Sequence, residues 1–178
     1  MYFKISTVFT TALLLLTEIT SAAPAVSADQ ANVLEARALT SDQQMALNVH
    51  NSARSSRRVP ALQWDASLAS AAQSYANTLA STGQFKHSGV GGENLFYERG
   101  GTYPQPLLDA SKAWIAEKPN YHNEVIPQGN FEAYGHYTQC VWKGTTKVGI
   151  ASAKGANGAV YVVARYSPAG NIVGQRPY

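Results

Sequence analysis

The sequence predicts one α+β domain, with helices first and an antiparallel sheet later. Three observations carry this reading. Apolar residues recur at helical spacing up to about residue 117, β-branched and aromatic runs replace them beyond Pro119, and 178 residues suit one core. With 45% hydrophobic and 14% charged residues the chain is not disordered, and 14 Gly with 8 Pro exclude a collagen-like repeat. A net charge of +3, with Arg54, Arg57 and Arg58 as its one tight basic cluster, is too small for a nucleic-acid stripe. The cluster reads as a solvated face.

The beginning of the chain has a separate meaning. Lys4 precedes the apolar run 5–16, and small residues follow at 20–23, the pattern of a secretory signal peptide over residues 1–22. A bilayer needs about 20 apolar residues, so the run is too short to span one. No second such run follows, and the expected mature chain is secreted, extracellular and not an integral membrane protein. Residues 23–40 read as a weakly ordered leader and 41–178 as the folded domain.

Ser41 with Gln44 forms a capping-box pattern that starts a first helix over 42–55. Asp65 is the N-cap of a second helix carrying Leu68, Ala72, Tyr75, Ala76 and Leu79, stopped by Gly83. Glycines at 89, 91 and 92 and at 100 and 101 mark residues 93–97 as loop. Residues 106–117 predict a third helix, ended by Pro119. Beyond it, residues 138–143, 147–152 and 159–165 read as strands, with Asn157 and Gly158 as a tight hairpin turn between the last two. A lone cysteine, Cys140, cannot close an internal disulfide, and inside a strand its thiol is a small inert hydrophobe.

Chemistry has few carriers. Of four histidines, His50 reads as a packed or capping residue. His87, Glu93, Glu117 and His136 would suit a divalent metal or general-base work if they converged, but spacing alone does not bring them together. No nucleophile motif and no dinucleotide fingerprint is present. The rings Trp114, Tyr121, Phe131 and Tyr134 lie between the third helix and the sheet. They would close over an apolar ligand or, as spacing alone favours, anchor a long loop on the core.

The run Gly135-His136-Tyr137-Thr138-Gln139-Cys140-Val141-Trp142 resembles the central motif of the CAP superfamily of cysteine-rich secretory, antigen 5 and pathogenesis-related class 1 proteins. His50-Asn51 with Arg54, Leu62 to Asp65, His87-Ser88, Gly92 to Leu95 and Tyr161 to Tyr166 resemble its other motifs, over about 41–178. The motif style resembles fungal secreted members. The resemblance implies a three-layer α-β-α sandwich with a central antiparallel sheet. It maps a cavity tetrad onto His87, Glu93, Glu117 and His136, whose histidines bind a divalent metal, zinc before others, with none required. The loop from His87 to Glu93 looks about one residue shorter than the common form, and Ile150 and Ala164 stand where many relatives carry cysteines.

The function so implied is a secreted, non-enzymatic, pathogenesis-related-like protein with no catalytic residues. It binds a sterol, or a fatty acid, through Trp114, Tyr121, Phe131 and Tyr134 in or beside the loop 118–134, at a host or cell surface. The alternatives are a metal-assisted hydrolase or protease using the His/Glu tetrad, and a precursor releasing a signalling peptide from about Pro168 onward.

Overall fold

The computed structural model describes residues 38–178, so the signal-peptide reading and most of the leader lie outside the described residues. Residues 39–178 form one compact unit. Its elements are α1 (Ser41–Ser56), β1 (Gln63–Trp64), α2 (Ala66–Thr82), β2 (Glu93–Glu98), α3 (Pro106–Ala116), α4 (Gly135–Cys140), β3 (Lys147–Lys154) and β4 (Val160–Ser167). Short 3₁₀ turns at Lys118–Asn120 and Phe131–Ala133 bracket the long connection before α4.

The sheet order is β1-β3-β4-β2. Its body is antiparallel, β3 with β4 and β4 with β2, while the two-residue β1 adds a parallel edge on β3. Because side chains alternate along a strand, β3 and β4 sort their residues by parity. Val148, Ile150, Val160, Val162, Ala164 and Tyr166 meet Ala46 and Leu47 of α1 and Leu107, Ala110 and Trp114 of α3. Ala151, Tyr161 and Val163 meet Ala72, Ala76 and Leu79 of α2 on the other face. This is the expected three-layer sandwich. Ile150 and Ala164 are cross-strand partners, both fully buried, so packing occupies the position read as a lost disulfide.

The helix ends show what the sequence encodes locally. The capping box of α1 is built by Thr40 and Gln43, one residue earlier than read, since the same Ser/Thr-x-x-Gln spacing occurs there. Asp65 accepts from the Ser67 and Leu68 amides, and Gly83 ends α2 at φ +68°, as expected. By contrast α3 is capped from a distance: Asp42 of α1 accepts from the Leu107 and Leu108 amides at 3.0 and 2.9 Å.

Three expectations are corrected. Residues 93–97, read as loop, form β2, paired along its length with β4 some 70 residues later, which glycine punctuation on both sides hides. The run 138–143, read as a strand, begins inside α4, and its Thr, aromatic and β-branched content is overridden by tertiary contacts. The arginine cluster is no solvated face. Arg54 is fully buried, donating to the carbonyls of Pro60, Cys140, Trp142 and Thr145 at 2.6 to 3.0 Å. Arg57 lies over the Tyr137 and Tyr178 rings, and only Arg58 is exposed.

His50 is the packed histidine expected. Its Nδ1 lies 2.9 Å from the Ala46 carbonyl, which can only accept, so Nδ1 carries the proton and Nε2 accepts from the Tyr166 hydroxyl at 2.8 Å. Burial lowers its pKa to about 4. The Cys140 thiol completes this buried network and is pushed up to about 12 by burial, so it stays protonated and inert.

Candidate functional site

A cleft of about 680 Å³ opens beside the beginning of β2. Its walls are the glycine loop 89–92, Glu93 and Asn94, the turn Phe131 and Glu132, the face of α4 bearing Gly135, His136 and Gln139, and Gly170 with Asn171. His87 and His136 both line it.

Each histidine is held by its own glutamate. His87 Nδ1 lies 2.7 Å from Glu93 Oε1, which also accepts from the Ser88 amide at 2.9 Å. His136 Nδ1 lies 2.6 Å from Glu117 Oε1. The other oxygen of Glu117 accepts from the His136 and Tyr137 amides at 3.0 and 3.1 Å, so this carboxylate caps α4 from the end of α3. An ionised carboxylate only accepts, so Nδ1 of both rings carries a proton and Nε2 keeps the lone pair when the ring is neutral.

The two glutamates differ in their surroundings. Glu93 is 2% exposed, and its Oε2 lies 2.9 Å from Arg165 Nη1, a close charge contact though poorly aligned as a hydrogen bond. Burial pushes the Glu93 pKa up, but the bonds from His87 and Ser88 and the Arg165 charge outweigh it and hold the carboxyl below its ordinary range. Arg165 in turn lies over the Tyr75 ring of α2. Glu117 has no such cation among the described residues.

The structure therefore brings all four tetrad residues to one region, as two His/Glu pairs rather than four ligands. Among the described residues no set of three or more His, Cys, Asp or Glu side chains meets at metal-binding spacing. What the protein offers a cation is two imidazoles, each oriented through Nδ1 by a carboxylate, an arrangement common behind histidine ligands. His122 pairs with Glu124 at the surface, outside the cleft.

The ring set is placed differently. Trp114 is buried and donates Nε1 to the Leu95 carbonyl at 3.0 Å. Tyr121 donates to Glu124 O at 2.9 Å and Tyr134 to Gln128 O, both with their rings buried. Trp114 is part of the sandwich core, and Tyr121 and Tyr134 pin the loop on itself and pack it against Tyr137, Val141 and Trp142. Phe131 is the ring that reaches the cleft, packed edge-on against Tyr134 at 5.5 Å and against Gly135. Arg165 was missed in sequence. A charge inside an otherwise apolar strand was the signal.

The profile of the cysteine-rich secretory protein family, CAP, matches residues 47–166. The chain belongs to the CAP family. Pathogenesis-related leaf protein 4 of Solanum lycopersicum is 40% identical over 132 residues, covering 74% of this chain and 80% of its own length. Pathogenesis-related protein 1B of Nicotiana tabacum is 39% identical over 140 residues, covering 76% and 80%. The crystal structure of NaASP2 with Zn2+ matches at a TM-score of 0.68 and 30% identity, over 79% of this chain and 86% of that one. Hookworm Platelet Inhibitor, at 0.65 and 22%, over 79% of this chain and 76% of that one, shares the fold. The named sequence relatives are plant proteins, so this CAP domain is similar to the pathogenesis-related class 1 kind, and the fungal reading gains nothing from them. Among the described residues no helix is long and apolar enough to cross a membrane.

Proposed function

We propose that this CAP protein is secreted, non-enzymatic and pathogenesis-related-like, and carries a sterol or related apolar lipid, with a divalent cation held separately between His87 and His136. The fungal type belongs to this reading, on motif style alone. The observation that carries lipid carriage is a third apolar cluster outside the sandwich, Tyr121, Ile126, Tyr134, Tyr137, Val141 and Trp142, with Phe131 at its cleft side. A non-enzymatic role is favoured because Glu93 and Glu117, the candidate bases, are committed to orienting imidazoles and capping α4.

Two imidazoles with Nδ1 held by a carboxylate are nitrogen donors of the kind zinc takes, and they supply two of its positions. A bound zinc would supply Lewis acidity, the basis of a metal-assisted hydrolase as the second reading. A relative crystallised with Zn2+ supports the cation.

Native mass spectrometry of the secreted protein separates these readings. Retained lipid is the expected result. A protein that retains none, and binds neither ergosterol nor a fatty acid added in excess, is not a lipid carrier. Replacing Phe131 by Ser should weaken lipid binding, whereas a His87→Ala/His136→Ala variant should bind lipid normally and lose zinc.

A further inference from the structure

The segment after β4 does not trail along the surface. Gly170 N donates to Gln139 Oε1 at 3.0 Å, and Asn171 takes a bond from Thr138 Oγ1 and gives one to Gly135 O, at 2.7 and 2.8 Å. Further on, Gln175 O accepts from the Ile126 amide, Gly174 N donates to Ile126 O, and Lys143 N donates to Pro177 O, all at 2.7 to 2.9 Å. Arg176 Nε reaches Asn123 O at 2.8 Å. Residues 170–177 are thus a strap that forms one cleft wall and then ties down the loop before α4 and the turn after it.

Beside the strap, the ring of Tyr178 fills a site. Tyr178 meets the Tyr121 ring at right angles, with centroids 6.1 Å apart, and the Arg57 guanidinium lies 5.1 Å from its centroid. Its hydroxyl is 3.4 Å from that of Tyr137, which also accepts from Arg57 Nε at 2.8 Å. An aromatic wall, a cation over the ring face and a hydroxyl partner make a receptor for an aromatic ring bearing a hydroxyl group. We propose that Tyr178 is the built-in occupant of a ligand site formed by Tyr121, Tyr137 and Arg57, and that a small phenolic ligand enters by displacing it as the strap lifts. The site is independent of the lipid-carrier reading, because the saturated rings of a sterol offer no π face to Arg57.

Chemical rescue tests the site. A Tyr178→Ala variant empties it, and p-cresol, the tyrosine side chain as a free molecule, is the probe. By calorimetry the variant should bind p-cresol at least tenfold tighter than the wild type, and a Tyr178→Phe variant, still plugged, should match the wild type. Hydrogen exchange should quicken at the Ile126, Lys143 and Gly174 amides of Tyr178→Ala while β4 stays protected, which separates an opened strap from an unfolded protein. Equal p-cresol binding by Tyr178→Ala and wild type overturns the proposal, as does loss of β4 protection without rescue by p-cresol.

Discussion

Glu93 and Arg165 are register partners across β2 and β4, and their side chains meet at 2.9 Å in a contact that water scarcely reaches. The bonds from His87 and Ser88, with the cation behind them, keep the carboxylate ionised, and the carboxylate keeps His87 in one tautomer. A charge pair on the sheet thus sets the protonation pattern of a cleft residue.

Breaking that pair should be expensive. Arg165→Met leaves Glu93 charged and buried without its cation, which costs about 3–5 kcal/mol. Adding Glu93→Gln should recover part of the loss, because no buried charge then remains. Urea unfolding of the two variants measures both numbers; equal stabilities would show that the pair is not coupled.

His50 gives the domain an acid sensitivity whose sign is fixed by its lowered pKa. The folded ring titrates at about 4 and the unfolded one at 6.5, so between these values the unfolded chain binds a proton that the folded chain refuses. The stabilisation is complete above pH 6.5 and falls by about 1.4 kcal/mol per unit as pH drops, roughly 3 kcal/mol in all. His50→Gln should flatten this part of the profile. Denaturant unfolding at pH 7 and pH 4.5 checks it.

The contact between α2 and β3 leaves no room for a methyl group. A Cβ at Gly149 would sit 2.1 Å from the Ala69 amide nitrogen and 2.5 Å from the Leu68 carbonyl carbon, both rigid backbone. Gly149→Ala should cost about 3 kcal/mol or more by forcing the layers apart. A thermal melt within a degree of wild type would contradict this packing.

Zinc binding should depend on Glu117 although it is not a ligand. Glu117→Gln weakens the hold on Nδ1 of His136, and affinity should fall about 10- to 100-fold. Acidification should release the metal as protons take Nε2. Calorimetry measures the affinity, and circular dichroism shows whether α4 survives the weaker cap.

Much of this was legible in the sequence because it is encoded locally. Asp65 and Gly83 mark both ends of α2 by side-chain chemistry that needs no partner, and Asn157 with Gly158 joins β3 to β4 through a turn with φ +77° at Gly158. The tetrad was legible only through family resemblance, since nothing in its spacing says that Glu117 reaches His136. Hidden features share one cause, a partner far along the chain. β2 needs β4, the cap of α3 needs Asp42, α4 needs Glu117, and Arg54 needs carbonyls about 90 residues away. Such long-range partners override short-range propensity, which is why 138–143 misled.

Arg54 also bears on the order in which the chain assembles. Its side chain links α1 to carbonyls 86, 88 and 91 residues later, at Cys140, Trp142 and Thr145. Until that turn exists, docking α1 would bury a guanidinium with most of its donors unmet. The early helix must therefore wait for a late turn. Loop closure over such distances makes for slow folding, and a nascent chain lacking residues 140–145 should hold α1 undocked.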